Sequence, residues 1–323
     1  MKKRMIIIGA NGSATKRTIP ALVDSEICEI VAIQSRNQEK LQQTCQTYNI
    51  PHYYQDSEEM LAKEEYDLVF IANPPFLHYQ TIAQCLTHDV PIICEKPLAR
   101  NYQEAQAIAT LLADYHQPLM IAHHMRHQPA YTDLKEILQR DEIGQVCSVW
   151  AQWGFNINRQ SASSAWKLDR LLGGGGTFSD NGIHALDFII GLFGPPQQVT
   201  GYCHQGDFKE TYSNETLLLN YQNSTITINS SHNLPYSGNH LLIYGTKGKI
   251  ESNACFGEKS ISQIIVTTET VQVIDYPVTN LYKNEVENFI NCHLLNKVAD
   301  CCGTTLSEQL LALKLIDELR SAL

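Results

Sequence analysis

The first third of the chain is a succession of short apolar runs, each cut off by glycine, proline or a polar stretch. Residues 4–8 close at Gly9, 29–34 run into Ser35, 67–72 stop at Asn73-Pro74-Pro75, 91–94 stop at Glu95-Lys96-Pro97, and 118–122 come last. Runs of this length, rich in β-branched residues, predict strands buried on both faces. Between them lie segments with helical spacing: one ending at Leu22, then 37–48 with apolar Leu41 and Cys45, 79–86 and 101–114. Strands alternating with helices predict βαβ units and a doubly wound parallel sheet of nucleotide-binding type.

Beyond Ala122 the texture changes. Residues 130–140 read as one more helix and 146–156 as a strand. Alternating segments at 198–204, 215–221, 224–230, 240–244, 249–252, 261–267 and 271–276 are joined by short turns such as Gly245-Thr246-Lys247-Gly248. They predict an open, largely antiparallel sheet. Helices at 283–295 and 307–322 close the chain.

The segment 173–187, GGGGTFSDNGIHALD, stands apart from both patterns. Four glycines offer a backbone with no Cβ to block a close approach. If the residues after them are helical, Asp180, His184 and Asp187 share one face, and Ile183, Leu186, Phe188, Ile189 and Ile190 anchor the helix in a core. A carboxylate and an imidazole beside a glycine floor can pass a proton.

Composition narrows the partners. The chain has 323 residues, 43% hydrophobic and 18% charged, with a formal net charge of -10. An acidic chain without a basic block lacks the positive face that nucleic acid requires. The run after Lys2-Lys3-Arg4 stops at Gly9, too soon for a secretory core, and no run reaches membrane-spanning length. The expectation is a cytoplasmic protein without membrane or nucleic-acid partners. Ten cysteines are irregularly spaced, without Cys-x-x-Cys. They read as reduced thiols, with Cys94 and Cys147 as small core residues. His123, His124 and His127 form a cluster, but adjacent residues on a strand point apart, so no metal is expected.

Gly9-Ala10-Asn11-Gly12-Ser13-Ala14 follows a strand and opens a helix, the place of a dinucleotide fingerprint. Gly9 makes the tight turn, Ala14 allows close helix packing, and Asn11, followed by Gly12, stands where the pattern has its middle glycine. At the end of the second strand an NAD site carries Asp or Glu for the ribose hydroxyls. Here the chain reads Gln34-Ser35-Arg36-Asn37. With no carboxylate to repel a 2′-phosphate, Ser35 and Arg36 point to NADP(H), with NAD(H) use also open. Asn73, Pro74 and His78, and Glu95 with Lys96, follow strands at the carboxyl edge where open α/β sheets bind ligands. Lys96 can aim its ammonium at a substrate oxygen, and desolvation beside a nicotinamide would lower its pKa.

Taken in order, GANGSA at 9–14, NPPFLH at 73–78, EKP at 95–97, residues 126–129, GGGG…D-x-G-x-H over 173–184 and the closing helices make the chain recognisable. It resembles the Gfo/Idh/MocA oxidoreductases, the family of glucose–fructose oxidoreductase and inositol dehydrogenase, over nearly its whole length. Ala122-His123-His124-Met125-Arg126 and Asn280-Leu281-Tyr282 are most similar to the NADPH-dependent 1,5-anhydrofructose reductase branch. The resemblance implies an N-terminal Rossmann dinucleotide-binding domain at 1–122 and a C-terminal α/β domain at 123–323 that binds substrate and builds a homodimer or homotetramer.

It further implies NAD(P)-dependent hydride transfer to or from a sugar, polyol or related carbonyl compound. His184 would be the proton donor or acceptor, Asp180 would orient substrate and tune His184, and Lys96 would bind and polarise the reacting oxygen. Trp166, Lys167 and Tyr282 join His124 and Arg126 at the substrate. Lys167 stands where relatives often carry Arg, and Asn11 leaves the pyrophosphate contact open. The rival readings are an NAD-dependent glycoside-cleaving enzyme on the same fold, a non-catalytic sensor such as the yeast galactose-pathway repressor, and a module in which the dinucleotide is structural. Retention of Lys96, Asp180 and His184 together argues against the sensor.

Overall fold

The apolar runs pair as their burial demands. In this computed structural model, which describes residues 1–160, 165–206, 208, 211–298 and 301–321, β1 (Lys3–Ile8), β2 (Cys28–Gln34), β3 (His52–Tyr54), β4 (Leu68–Ile71), β5 (Ile92–Glu95) and β6 (Leu119–Ala122) form one parallel sheet. Its order is β3-β2-β1-β4-β5-β6. Every residue of β4 is buried, as are the last four of β1, because helices cover both faces of such a sheet. The order reverses between β1 and β4, and the crevice outside the strand ends at such a reversal is where doubly wound sheets take ligands.

Most predicted elements are found within a residue or two of their bounds; the helix expected at 101–114 ends at Leu111, the strand expected at 240–244 starts at Asn233, and other elements depart in kind. β3 and the helix Ser57–Lys63 escape the pattern, since β3 is three residues long and the helix buries only Met60 and Leu61. The helix after the glycine turn opens as a π-helix, Ala14–Thr18, before tightening at Ile19–Leu22. The helical stretch near the C-terminus does the same in reverse, Leu281–Phe289 passing into a π-helix over Ile290–Leu294. His124–Arg126 is a 3-10 turn, so the premise that His123 and His124 lie on a strand does not hold.

The chain divides into two compact units. The first comprises Met1–Ala99, Gln103–His124 and Tyr282–Leu306, and the second Arg100–Tyr102, Met125–Leu281 and Ser307–Leu323. The expected division at residue 122 differs from these units chiefly in the late segment 282–306, which returns to the first unit, while Arg100–Tyr102 joins the second and residues 123–124 stay with the first. The reason is apolar. Val286, Phe289 and Ile290 join Met5, Ile7, Ile33 and Phe70 in one core.

In the second unit β7 (Val146–Asn156), β8 (Gln198–His204), β9 (Asn214–Asn220), β10 (Thr225–Ser231), β11 (Asn233–Gly245), β12 (Lys249–Asn253), β13 (Gln263–Thr267) and β14 (Val271–Asp275) form a sheet ordered β14-β13-β12-β11-β7-β10-β9-β8. Its pairs are antiparallel except β10 with β7. Burial alternates strictly along β9, so one face is core and the other is open. The helix Gly182–Phe193 packs against β7 and β10, and its residues from Gly182 to Ile190 are all buried. Cys94 is buried as expected, but Cys147, second in β7, is exposed: it has the parity of buried Val149 and Ala151, yet it lies where the register with β11 shifts at the start of the strand. No helix among the described residues is long and apolar enough to cross a membrane.

Candidate active site

The first unit gathers its candidates at the carboxyl ends of its strands. Gly9 takes φ +86°, and a Cβ there would lie 2.4 Å from the Asn73 backbone nitrogen, so only glycine lets the turns after β1 and β4 meet at the sheet's reversal. Gly12, at φ +50°, has no atom within 4 Å of where its Cβ would be. The open backbone in this turn is therefore at Gly12, next to the exposed Asn11. Ser13 Oγ accepts from Arg17 Nη1 at 3.1 Å, and Ala14 is fully buried, as close packing of the helix on the sheet requires.

At the end of β2 the Gln34 side chain folds back. Its Oε1 accepts from the Gly9 amide at 3.2 Å and its Nε2 donates to the Gln55 carbonyl at 2.9 Å. Ser35 is buried, whereas Arg36 is exposed, and Asn37 caps the helix Gln38–Tyr48 by accepting from the Lys40 amide. An open glycine turn, no carboxylate at the end of β2 and an outward arginine fit a dinucleotide.

Beside the reversal, His78 has a different role from the cofactor contact expected of it. It is fully buried, with Nδ1 3.0 Å from the Leu98 carbonyl and Nε2 2.8 Å from the Asn73 carbonyl. Burial holds its pKa below the usual histidine value against the pull of these carbonyls. Neutral, the ring donates to one of these carbonyls and packs against the other, and so lies between the Asn73-Pro74 turn and the segment that carries Glu95 and Lys96. Asn73 Nδ2 donates to Thr81 Oγ1 at 2.7 Å, and the Lys96 amide donates to Glu95 Oε2 at 3.2 Å. Elsewhere in this unit His124 and Tyr282 stack on each other, ring centroids 4.4 Å apart. Burial pushes the Tyr282 hydroxyl above its usual range, although Arg17 pulls it down.

The second unit builds its candidates from side chains. Asp180 is not on the helix with His184, as the spacing suggested. It follows the 3-10 turn Thr177–Ser179, Asn181 caps the helix, and the helix begins at Gly182. Asp180 Oδ1 accepts from Lys167 Nζ at 2.6 Å, and its Oδ2 lies 3.4 Å from His232 Nε2. Asn181 Nδ2 donates to the Trp153 carbonyl at 2.9 Å, and the Trp153 ring lies 5.4 Å from that of His184, which is itself buried. Trp166 adjoins this group, with Lys167 Nζ 5.9 Å from its ring centroid.

Arg126, expected at the substrate, and Asp187, expected on the face of Asp180 and His184, bind each other. Asp187 does not join Asp180 and His184; it binds Arg126. Arg126 Nε donates to Asp187 Oδ2 and Nη2 to Oδ1 and the Asp187 carbonyl, each at 2.7 Å, while Nη1 reaches Glu308 Oε1. Burial opposes the guanidinium charge, yet Asp187 and Glu308 raise its pKa above the usual arginine value. With a fork so committed, Arg126 braces the helix that carries His184.

The glycine run also serves the protein's own packing. Gly174 and Gly175 take φ +83° and +97°, turning the chain back after the short helix Arg170–Gly173. A Cβ on Gly174 would lie 2.7 Å from the Arg100 carbonyl, and one on Gly176 would lie 2.4 Å from Glu215 Oε2. Glu215, wholly buried, accepts from the Phe178 amide at 2.8 Å and from Arg320 Nε at 2.7 Å. Arg320 Nη1 donates in turn to Ser179 Oγ. The loop that delivers Asp180 is therefore held by a buried ion pair.

His232, Glu215 and Arg320 were invisible as site residues in the sequence. One signal for His232 existed: the inward stripe Ile226, Ile228 turns polar at Ser230 and His232, and all four are buried.

Comparison with known proteins places the arrangement. Residues 3–123 match the oxidoreductase family with NAD-binding Rossmann fold, and residues 131–251 match the GFO/IDH/MocA C-terminal domain. A trans-1,2-dihydrobenzene-1,2-diol dehydrogenase of Xenopus tropicalis is 30% identical over 72% of this chain and 68% of its own. A D-xylose 1-dehydrogenase [NADP(+)] of Haloarcula marismortui is 23% identical over 90% of this chain and 83% of its own. The aldose-aldose oxidoreductase from Caulobacter crescentus, solved with glycerol, shares the fold with a TM-score of 0.87 at 21% identity, covering 100% of this chain and 97% of that one. The chain belongs to the Gfo/Idh/MocA family of NAD(P)-dependent oxidoreductases, acting on CH–OH and C=O groups.

Proposed function

We propose that the protein interconverts a hydroxyl and a carbonyl on a sugar or polyol, with NADP(H) as its preferred dinucleotide. The observation that carries this reading is the polar set at the head of the buried helix, with Lys167 on Asp180 and His184 beside Trp153. An aromatic ring next to charged hydrogen-bonding groups suits a molecule with C–H faces and hydroxyl edges. Support for NADP(H) comes from the outward Arg36 and from Gln34 in place of a carboxylate. The dinucleotide, when bound, supplies or accepts the hydride.

In this reading the chain handles the proton and the oxygen. The Lys96 ammonium binds the reacting oxygen and draws electron density toward it. The His184 imidazole takes the hydroxyl proton on oxidation and returns it on reduction, since histidine titrates near neutral pH. Asp180 orients the neighbouring hydroxyl and favours the charged form of His184. The open face of the second unit's sheet, with exposed Trp150, Tyr202, Tyr244 and Val273, serves self-association as a dimer or tetramer.

The test is a screen of sugars, polyols and vicinal diols with both dinucleotides, followed by absorbance. With the substrate found, Lys96→Ala and His184→Ala should each lower turnover about 10²–10⁴-fold, the usual worth of an acid–base group, while dinucleotide affinity changes little. Near-normal turnover in either variant would assign that residue to structure and sink the mechanism.

A further inference from the structure

The second unit holds a histidine that this mechanism does not use. His232 follows β10 directly. Its backbone is fixed from two sides: its amide donates to the Ser213 carbonyl at 2.8 Å, and its carbonyl accepts from the Ile157 amide at 2.9 Å. The side chain is 1% exposed and packs against Phe155 and Phe208, ring centroids 5.5 Å and 6.5 Å away. Neither ring nitrogen makes a hydrogen bond among the described residues, yet Nε2 lies 3.4 Å from Asp180 Oδ2, close enough for an ion pair but out of line.

A phenylalanine would fill such an aromatic wall without burying polar nitrogens, whose desolvation works against folding unless a hydrogen bond offsets it. Imidazole at this position calls for a partner, and the carboxylate within reach is Asp180. Among the described residues, the other charged groups near it have partners of their own. Lys167 is on Asp180 Oδ1, the Arg159 guanidinium lies over the Phe208 ring, and Glu215, on the neighbouring strand β9, is bound to Arg320.

We propose that His232 is a positioning residue for Asp180: its Nε2–H closes onto Oδ2 when substrate is engaged, so the carboxylate is gripped by Lys167 on one oxygen and His232 on the other. Held at both, it keeps its remaining lone pairs aimed at substrate and at His184. The inference rests on the reading of Asp180 as part of the reactive group.

The experiment measures kcat and KM against pH, with melting temperature, for wild type, His232→Phe, His232→Gln and His184→Ala. His232→Phe keeps the aromatic packing and removes the donor. It should lower kcat/KM about 10- to 100-fold, the scale of one hydrogen bond to a charged group, with little change in melting temperature. His232→Gln places an amide N–H near the Nε2 position. It should recover most of the loss. A wild-type profile in His232→Phe, or equal losses in Phe and Gln, overturns the role.

If His232→Phe does not fold, histidine-labelled NMR of wild type and Asp180→Asn decides. The His232 Nε2–H proton should resonate upfield without the carboxylate, and an unchanged resonance overturns the proposal. Activity surviving in His184→Ala overturns the reading of the site and this inference with it. Activity lost in His184→Ala beside a wild-type profile in His232→Phe overturns this inference alone.

Discussion

The two units place their chemistry by opposite means. In the first, the candidates stand on turns that end parallel strands, and the backbone sets them: Gly9 against Asn73, Gly12 open, Lys96 just past β5. In the second, the candidates are held by side chains distant in sequence, with Lys167 on Asp180, Arg126 on Asp187 and Glu308, and Arg320 on Glu215. A parallel sheet brings its strand ends together by topology alone, whereas a mostly antiparallel sheet with one open face leaves its loops to be fixed individually. The first kind of site keeps its shape through side-chain exchange wherever the backbone survives. The second fails when one member of a pair is lost.

The sharpest way to break that contrast is to remove Arg320. Glu215 would then be a buried carboxylate without its counter-charge beneath the Gly176 turn. Breaking a buried ion pair typically destabilises by about 3–5 kcal/mol. Arg320→Ala should therefore lower the urea midpoint strongly and, where folded protein remains, depress turnover more than dinucleotide affinity. The exposed i,i+4 pair Lys63–Glu59 in the first unit is the control. Lys63→Ala should change stability by less than about 1 kcal/mol. Similar midpoints for the two variants would mean that Arg320 does not hold the loop.

Arg36 tests the first unit in the opposite sense, as a side chain whose loss should spare the fold. It is exposed at the end of β2, and Arg36→Ala should leave the melting temperature unchanged. Its affinity for NADPH should fall about 10- to 100-fold, as expected for lost charge-assisted hydrogen bonds to a phosphate, with NADH much less affected. Titration of dinucleotide into both proteins measures this. Equal losses for NADPH and NADH would leave the arginine only stacking on the adenine, and the preference for NADP(H) would lose its support.

Legibility in the sequence divides along the same line. The parallel strands were legible because burial on both faces leaves unbroken apolar runs, and the motifs GANGSA, NPPFLH and EKP end those runs. The later strands were legible from alternation, although β11 extends over Asn233–Gly245, well beyond the predicted 240–244. The start of the helix at Gly182 was not, since Asp180, Asn181 and Gly182 continue the helical spacing while the chain spends Thr177–Ser179 in a 3-10 turn. Nor could spacing show that Asp187 meets Arg126 or that Arg320 meets Glu215, because long-range pairing leaves no periodic trace. Arg126 and His78 were noticed for their chemistry and turned out to brace their surroundings.

His78 offers the finest test, because it is the first unit's exception: a side chain set between two backbone turns. Its ring lies between the carbonyls of Asn73 and Leu98, and burial keeps its pKa below the usual value. The unfolded chain takes up a proton near pH 6.5, while the folded ring resists it until a lower pH. The unfolded state thus binds more protons across that window, so stability rises with pH there. The contribution is fully present above pH 6.5 or so and is lost as the pH falls through the folded value. His78→Gln keeps hydrogen-bonding capacity and removes the ionisation. Unfolding free energies measured in steps from pH 8 to pH 5 should fall more steeply for wild type than for His78→Gln. Because the ring fixes the approach to Lys96, the variant should also lose some turnover at pH 8, by far less than Lys96→Ala. Parallel stability curves would show that His78 does not titrate against folding, and unchanged turnover would show that the Lys96 segment holds its place without the ring.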